Sequence, residues 1–395
     1  MRLVVGCAAV LVAGLVLTGS AGATRSVHLA RVCRGSAGGR CAALVGVDQS
    51  GKPLAQGSPT GFNPPDFWSV YDLPPQTGSK WTWNGQTVAL VDAFDDPAAE
   101  ADLNTYRSQF GLLPCTSGNG CFVKVDQRGR AGHYPRFDEL WAFEISIDTQ
   151  MVSALCAECR ILLIETRSQT FKDEFAGVDE AYKLGADEIS LSWGTDEFGG
   201  ETAYDSHFQQ RNAAGHTVAV TAASGDSGYP HLWYPAASPY VTAVGGTSLA
   251  TDLSTEQLSD FAWDSAGSGC SPYEPQPAWQ AGLPKIAAAC SGRAGADVAF
   301  NATAMSVYDS AGFEGRSGWM AASGTSVSTP AIAAIYALAG NASSVTAGSF
   351  PYSHRDAIFD VTRFPEGACS SALCNAGPGW DGPTGIGTPR GTAGF

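Results

Sequence analysis

The sequence predicts an α/β protein with a parallel central sheet flanked by helices. Apolar runs typical of buried strands alternate with helical stretches of ten or more residues, and this alternation indicates parallel strands joined by right-handed crossovers. The chain has 395 residues, 44% of them hydrophobic, which is enough for a large core. Functional side chains should gather where the strands end. The predicted strands cover 87–92, 160–165, 188–194, 217–223 and 240–247, and the predicted helices cover 98–110, 137–154, 171–184 and 204–214, with mostly loops over 230–320.

The N-terminus has the pattern of a secretory signal. Arg2 precedes an apolar run over 3–17, and Ala21-Gly22-Ala23 forms a cleavage site. We therefore expect a signal peptide over 1–23 and a secreted, extracellular protein. No other apolar run approaches membrane-spanning length. Residues 24–75 are predicted to be an extended N-terminal arm lying on a single domain over 76–395.

The cysteine spacing predicts local disulfides. Of 11 cysteines, Cys7 lies in the signal and ten remain in the exported chain. The simplest pairing in an oxidising compartment joins neighbours along the sequence. Cys156-x-x-Cys159 could instead be a redox pair or half of a zinc site, but no second such motif accompanies it. The predicted pairs are Cys33–Cys41, Cys115–Cys121, Cys156–Cys159, Cys270–Cys290 and Cys369–Cys374.

The net charge excludes some partners. A formal charge of −15 argues against nucleic acid and anionic membranes, both of which bind basic surfaces. We expect a monomer that acts on protein or peptide substrates.

A nucleophile is suggested by residues 323–330, Ser-Gly-Thr-Ser-Val-Ser-Thr-Pro, which precede an apolar helical run. A glycine turn followed by a proline in the first helical turn would place Ser326 at a helix N-terminus. There the free backbone N–H groups stabilise a developing oxyanion. The alternative is an ordinary N-cap serine.

The partner of such a serine is usually histidine, but the histidines fit poorly, and only His133 remains a weak candidate. Glu144 and Asp148 lie four residues apart, hence on one face of a helix whose other residues are apolar. Two desolvated like charges favour a functional role over a solvated acidic turn. Asp226 ends the 217–223 strand in a glycine-bracketed turn, where a purely structural Asx turn is the alternative.

Together these motifs resemble the sedolisin family of serine-carboxyl peptidases, relatives of subtilisin. The resemblance covers about residues 60–395 and rests on the Glu-x-x-x-Asp helix, the Ser-Gly-Asp-Ser-Gly turn and Gly-Thr-Ser-x-x-x-Pro, in that order. It implies a subtilisin-like fold. It also implies that Ser326 is the nucleophile, Glu144 the general base, Asp148 the carboxylate behind it and Asp226 an oxyanion-hole donor. The His-Gly-Thr-His block of subtilisins is absent from the sequence, and Glu144 takes the place of that histidine.

Those roles imply acid chemistry. Glu144 must be ionised to accept a proton, whereas Asp226 must be protonated to donate to the oxyanion. By the same resemblance Asp92 extends the carboxylate row behind Asp148, with Trp193 nearby. Members of the family typically carry a large N-terminal prodomain, whereas only the arm precedes the predicted domain here.

The C-terminal segment resembles the calcium site of the family. The implied Ca²⁺ ligands are the carboxylates of Asp360 and Asp381 and the carbonyls of Val361, Gly377 and Gly379, an all-oxygen set suited to a hard cation. A glycine-rich turn without metal is the alternative.

The sequence therefore predicts a secreted, acid-acting serine-carboxyl endopeptidase that forms an acyl-enzyme. Two alternatives stay open: a tripeptidyl exopeptidase of the same family, and a catalytically silent binding protein with the same fold.

Overall fold

The structure is a computed structural model that describes residues 28–33, 38–78, 80–252, 255, 257–363 and 369–395. The predicted signal peptide, 1–23, lies outside the described residues, as does the start of the predicted arm. In the described part, no helix is long and apolar enough to cross a membrane.

The predicted α/β architecture with a parallel central sheet is confirmed. The main sheet has eight strands, in the order β12-β11-β9-β7-β4-β6-β5, with β15 also pairing with β11. Its pairs are parallel except for β11 with β12. Because the strands at its centre run the same way, their carboxyl ends share one edge of the sheet.

The elements have the following bounds in chain order. The strands are β1 (His28–Arg31), β2 (Arg40–Cys41), β3 (Leu44–Val47), β4 (Thr87–Ala93), β5 (Phe122–Asp126), β6 (Arg160–Thr166), β7 (Glu188–Leu191), β8 (Trp193–Asp196), β9 (Ala219–Ala223), β10 (Trp233–Tyr234), β11 (Thr242–Asp252), β12 (Gln257–Ala262), β13 (Gly269–Pro275), β14 (Gly292–Gly295), β15 (Val298–Asn301), β16 (Met305–Phe313), β17 (Arg316–Ser323), β18 (Ile358–Phe359) and β19 (Thr388–Pro389). The α-helices are α1 (Pro64–Val70), α2 (Ala99–Gln109), α3 (Glu139–Leu155), α4 (Phe171–Lys183), α5 (Ala278–Ala281), α6 (Pro284–Ala289), α7 (Thr325–Ala339) and α8 (Ser349–Ser353).

Helices α3 and α7 form the centre of the core. They pack against each other, and both contact β4. Residues 141–155 of α3 and 325–337 of α7 are all buried. A helix buried on every side has no solvated face, so any carboxylate on it is held away from water.

The predicted helix at 204–214 is wrong. The chain instead forms a 3₁₀-helix over Glu201–Phe208 and then turns. The aromatic side chains of Tyr204 and Phe208 pack against Phe175 of α4, which fixes this segment through tertiary contacts that the local sequence does not reveal. The expectation of loops over 230–320 is also wrong, because most of that region forms short strands β10–β17.

The predicted strand at 188–194 is interrupted at Ser192. Strand β7 pairs within the central sheet, whereas β8 leaves it and pairs with β2 and β10. The interruption places the Ser192 side chain and carbonyl at the edge where the candidate site lies.

The five predicted disulfides are confirmed, with the pairing of neighbouring cysteines that the spacing indicated. Cys156 and Cys159 are bonded to each other and buried in the core, as expected of a structural pair.

Candidate active site

Ser326 is the second residue of α7. The helix is capped by Gly324, whose φ is 118°, a conformation that L side chains rarely adopt. A Cβ on Gly324 would lie 2.2 Å from the carbonyl oxygen of Ala42, so only glycine fits there. The expected position of the proline is wrong: Pro330 is the sixth residue of the helix, because the helix already begins at Thr325.

Glu144 and Asp148 project from one face of α3, as their spacing predicted. Asp138 caps this helix by accepting from the N–H groups of Leu140 and Trp141. Both acidic side chains have no exposed surface. Burial disfavours the charged form, so the pKa of each carboxyl is raised well above its ordinary value.

Glu144 faces Ser326. The Ser326 hydroxyl partly offsets the effect of burial by lowering the pKa of the Glu144 carboxyl, while the nearby charges of Asp92 and Asp226 raise it. The hydroxyl itself donates to the Ser192 carbonyl at 3.2 Å, and neither carboxyl oxygen of Glu144 has a hydrogen-bond partner of its own. Glu144 thus lies beside the serine hydroxyl, with both of its carboxyl oxygens buried. His133, the weak candidate base, is exposed in the loop before α3.

Asp148 and Asp92 continue the row of carboxyls behind Glu144. One oxygen of Asp148 accepts from the Ser192 hydroxyl at 2.7 Å, and the other has no partner. Asp92 is the last residue but one of β4, is fully buried and has no partner for either oxygen; burial raises its pKa to about 7. Its charge raises the pKa of both Glu144 and Asp148, so the three carboxyls cannot all be ionised together. Trp193 lies beside this strand end and donates from Nε1 to the Val91 carbonyl at 2.7 Å.

Asp226 lies in the turn after β9, next to the start of α7. Its Oδ1 accepts from the Thr325 N–H at 2.8 Å and the Thr325 hydroxyl at 3.0 Å, whereas Oδ2 has no partner. Burial raises the pKa of this carboxyl to about 7, against the lowering effects of Thr325, Arg31 and Arg40. A proton on Oδ2 is therefore held below neutral pH. The Asx-turn alternative does not describe this arrangement, because the carboxyl bonds to α7 and not to its own turn.

Two residues near the site were missed by the sequence interpretation. Ser192 binds Asp148 through its hydroxyl and Ser326 through its carbonyl. Glu174 of α4 is fully buried, its pKa is raised by burial and by the charge of Asp92, and it contacts the backbone at Gly39. No sequence signal pointed to Ser192, because residues 188–194 have the pattern of one unbroken strand. Glu174 lies in an ordinary amphipathic helix, so no sequence signal pointed to it either.

A second chain segment crosses the site. Ala42 accepts from the Ser326 N–H through its carbonyl at 2.9 Å and donates from its own N–H to the Ser192 carbonyl at 2.9 Å. On one side of this residue the chain continues through β2, and Gly39 donates to the Gln169 carbonyl at 2.8 Å. On the other side it continues into β3. The chain therefore runs past Ser326 and is bound both before and after Ala42.

The predicted calcium ligands lie in one C-terminal region. Asp360 accepts from the Gly379 N–H at 2.7 Å, and Asp381 accepts from the Gly377 N–H at 3.1 Å. The Lys285 ammonium donates to the Gly377 carbonyl at 3.3 Å, so this oxygen faces a positive charge already. Within the described residues, no cluster of three or more His, Cys, Asp or Glu side chains could hold a metal ion.

Comparison with known proteins defines the class. A model of the subtilase family matches residues 146–353, more than half of the chain. The chain belongs to the subtilase family, whose members are serine-type peptidases, and at this level the prediction of a serine-type peptidase is confirmed.

Its relatives within that family are sedolisins, which confirms the resemblance drawn from the motifs. Kumamolisin from Bacillus sp. (strain MN-32) is 28% identical over 364 residues, covering 85% of this chain and 63% of that protein. Tripeptidyl-peptidase 1 of Homo sapiens is 31% identical over 238 residues, covering 51% of this chain and 41% of that protein. The chain thus spans less than two thirds of the length of these relatives.

The fold is subtilisin-like, as the resemblance implied. The solved structure of Pseudomonas sedolisin, a serine-carboxyl proteinase complexed with two molecules of pseudo-iodotyrostatin, matches with a TM-score of 0.66 at 24% identity. The match covers 85% of this chain and 96% of that one.

The buried carboxyls predict that the protein is more stable in acid. Asp92 and Asp226 each have a pKa raised to about 7. The folded state binds more protons than the unfolded state between about pH 4 and pH 7. The free energy of unfolding should therefore fall as the pH rises through this window. Urea denaturation at several pH values measures it, and Asp92→Asn should flatten the slope. Stability that rises from pH 4 to pH 7 would contradict this assignment.

Proposed function

We propose that this chain is a secreted, acid-acting serine-carboxyl endopeptidase. The observation that carries the proposal is the pairing of Ser326 with Glu144, a buried carboxyl whose oxygens have no other partner. Family membership supports the reaction class, and the absence of a histidine beside Ser326 among the described residues supports a carboxylate base.

The reaction follows from the positions of these groups. The Ser326 hydroxyl attacks the carbonyl carbon of a peptide bond while Glu144 accepts its proton. The oxyanion receives hydrogen bonds from the Ser326 N–H and from a protonated Asp226 Oδ2. Glu144 then gives the proton to the leaving amine, which leaves an acyl group on Ser326. Water releases the acyl group in a second step with the same proton acceptor.

The protonation state of Glu144 depends on its two neighbours in the row of carboxyls, Asp148 and Asp92. Glu144 and Asp148 each face a serine hydroxyl, a contact that favours the ionised form, whereas Asp92 has no donor at either oxygen. For the reaction we place the single negative charge of the row on Glu144, because Glu144 is the carboxyl that faces the Ser326 hydroxyl. With that charge on Glu144 and a proton on Asp148, the pair is ready to accept the serine proton. Asp226 keeps its own proton at the same acid pH.

Endopeptidase action is favoured over tripeptidyl exopeptidase action by the path of the chain across the site. Gly39, three residues before Ala42, is still held by the Gln169 carbonyl at 2.8 Å, so at least four residues fit on the amino-terminal side. An exopeptidase that releases tripeptides would need the cleft closed after three residues. The match to tripeptidyl-peptidase 1 keeps exopeptidase action as the rival, and the sizes of products from an oligopeptide would separate the two.

Glu144→Gln should lower kcat by about 10²–10⁴-fold, because the amide cannot accept the Ser326 proton. Glu139→Gln, on the exposed first residue of the same helix, is the matched control and should leave kcat unchanged. The measurement is hydrolysis of a peptide substrate at acid pH. Equal activity in the two variants would remove Glu144 from the mechanism.

Ser326→Ala should be inactive in the same assay, because it lacks the attacking hydroxyl. If this variant kept full proteolysis, the measured activity would come from another protein in the sample, and the catalytically silent binding protein would be the better interpretation of this chain.

The Asp226→Asn variant tests whether Asp226 donates a hydrogen bond to the oxyanion through its carboxyl proton. An Asn side chain can keep the Oδ1 bonds to Thr325 while its NH₂ group donates to the oxyanion at any pH. We expect activity within about tenfold of wild type, with the alkaline limb of the pH profile moved upward. Asp226→Ala should lose about 10²–10³-fold in kcat. An Asn variant that is as inactive as the Ala variant would show that the Asp226 proton is not used as a donor.

We also propose that calcium binds at Asp360, Val361, Gly377, Gly379 and Asp381. Support comes from the contacts of the two acidic side chains: Asp360 accepts from the Gly379 N–H, and Asp381 accepts from the Gly377 N–H. The set is all-oxygen, which suits a hard cation, and a buried Asp381 carboxylate would need a counter-charge. Lys285 holds that counter-charge at the Gly377 carbonyl in this structure and would have to move. The ion would stabilise the C-terminal segment and take no part in the reaction.

A chelator should lower the melting temperature of the wild-type protein, and added Ca²⁺ should restore it. Asp381→Asn should respond to neither, since it lacks one of the two carboxylates. A melting curve that is unchanged by chelator in the wild type would refute the calcium site.

A further inference from the structure

A buried arginine far from Ser326 has no acidic partner. Arg107 lies in the last turn of α2 and is only 1% exposed. Its guanidinium donates to the Leu113 carbonyl, to the Ser153 hydroxyl and, at 3.0 Å, to the Ala157 carbonyl. All three acceptors are neutral. Burial lowers the pKa of Arg107 to about 10, and no charged group in the described part of the chain offsets this effect.

The contacts of Arg107 leave its positive charge uncompensated. Buried charges in proteins are normally paired, because an isolated buried ion has lost its hydration. Ala157 follows the C-terminal end of α3, and the dipole of that helix supplies only about half a negative charge. A guanidinium also has five N–H groups, and the three bonds to neutral acceptors leave two of them unused. The site therefore has room for a negatively charged acceptor.

The guanidinium borders a cavity of about 240 Å³, here called the Arg107 cavity. Leu113 and Ala157, whose carbonyls bind the guanidinium, line this cavity together with Arg107 itself. Trp81 also lines it, and the Trp81 indole N–H is buried without an acceptor. Two side chains with unused hydrogen-bond donors, one of them charged, thus border the same cavity.

The rest of the lining indicates which anion would fit. The side chains of Leu113 and Leu338 give the cavity an apolar part. Glu158, which is exposed, also lines it and would repel an ion with more than one negative charge. The volume equals that of about eight water molecules at about 30 Å³ each, so the ligand must be small. A short carboxylate has the one negative charge and the apolar body that these features require.

We propose that the Arg107 cavity binds a small aliphatic monocarboxylate. The carboxylate would accept from the unused N–H groups of Arg107 and from the Trp81 indole, while the alkyl group packs against Leu113 and Leu338. Leu338 lies twelve residues after Ser326 along α7, about 18 Å at 1.5 Å per residue, so this is not the candidate active site. The proposal does not depend on the proposed function. The bound ligand would stabilise the fold and take no part in peptide cleavage.

Gln76 shows why the protein itself does not fill this role. Its amide oxygen accepts from the Ala157 N–H at 3.1 Å, and its amide nitrogen donates to the Pro74 carbonyl at 2.9 Å. Both ends of this side chain are therefore engaged with the backbone, although Gln76 lines the cavity. Its two bonds hold the segment that includes Trp81 against the end of α3, which keeps the cavity in shape.

The test measures binding of isobutyrate, a short branched carboxylate, to the full chain by titration calorimetry at about pH 6, where a carboxylate is ionised. Isobutyramide is the neutral comparison, and sulfate at equal ionic strength is the doubly charged one. The variants are Trp81→Phe, which removes only the indole N–H, together with Glu158→Gln and Arg107→Met. The control is Arg211→Lys, on an exposed arginine that likewise donates to a backbone carbonyl.

The wild type should bind one isobutyrate per chain, and isobutyramide and sulfate should each bind at least tenfold more weakly. Trp81→Phe should weaken isobutyrate binding at least threefold, Glu158→Gln should strengthen it at least twofold, and Arg211→Lys should not change it. Arg107→Met should not bind the probe. Isobutyrate at ten times its Kd should raise the wild-type melting temperature by about 2 °C.

Three results would overturn the proposal: no isobutyrate binding to the wild type, equal binding of isobutyrate and isobutyramide, or tighter binding of sulfate than of isobutyrate. Undiminished binding in a folded Arg107→Met chain would do the same. If Arg107→Met does not fold, Trp81→Phe decides, and equal binding in that variant and the wild type would refute the site. In each of these cases Arg107 would be a structural residue that binds the end of α3 and nothing else.

Discussion

The structure depends on the burial of four carboxyl groups around one serine. Four acidic side chains are buried near Ser326 and have almost no contact with water: Glu144, Asp148, Asp92 and Asp226. Burial penalises the charged form of each, and their mutual repulsion adds to that penalty. The group is therefore compatible with folding only when protons are shared among its members. The same condition leaves one carboxyl able to accept a proton and another able to donate one.

The fold supplies the rigid parts that such an arrangement requires. Helices α3 and α7 hold Glu144 and Ser326 on packed, fully buried elements, and strands β4 and β9 deliver Asp92 and Asp226 from the same edge of the sheet. Because β8 leaves the sheet after Ser192, the Ser192 carbonyl and the edge of β8 are available to bind other parts of the chain. The Ser192 carbonyl accepts from the Ala42 N–H, and the edge of β8 pairs with β2.

Local sequence patterns predicted the parts of this design that depend on local rules. The alternation of strands and helices gave the parallel sheet, the spacing of Glu144 and Asp148 gave a shared helical face, and near neighbours among the cysteines gave the disulfides. What escaped prediction depends on contacts distant in sequence. Ala42 contacts Ser326 although the two are far apart in the sequence. Glu174 is buried by tertiary packing that its helix pattern does not reveal, and the segment after Gly200 is shaped by aromatic contacts with α4.

The buried carboxyls at Ser326 should keep their protons to pH values well above the ordinary range for aspartate. Infrared difference spectra between the wild type and Asp226→Asn, recorded across a pH series, would isolate the C=O stretch of the protonated Asp226 carboxyl. We expect a band that persists through acid pH and disappears with a midpoint near 7, the value to which burial raises this pKa. A midpoint near the ordinary aspartate value of 3.8 would contradict it.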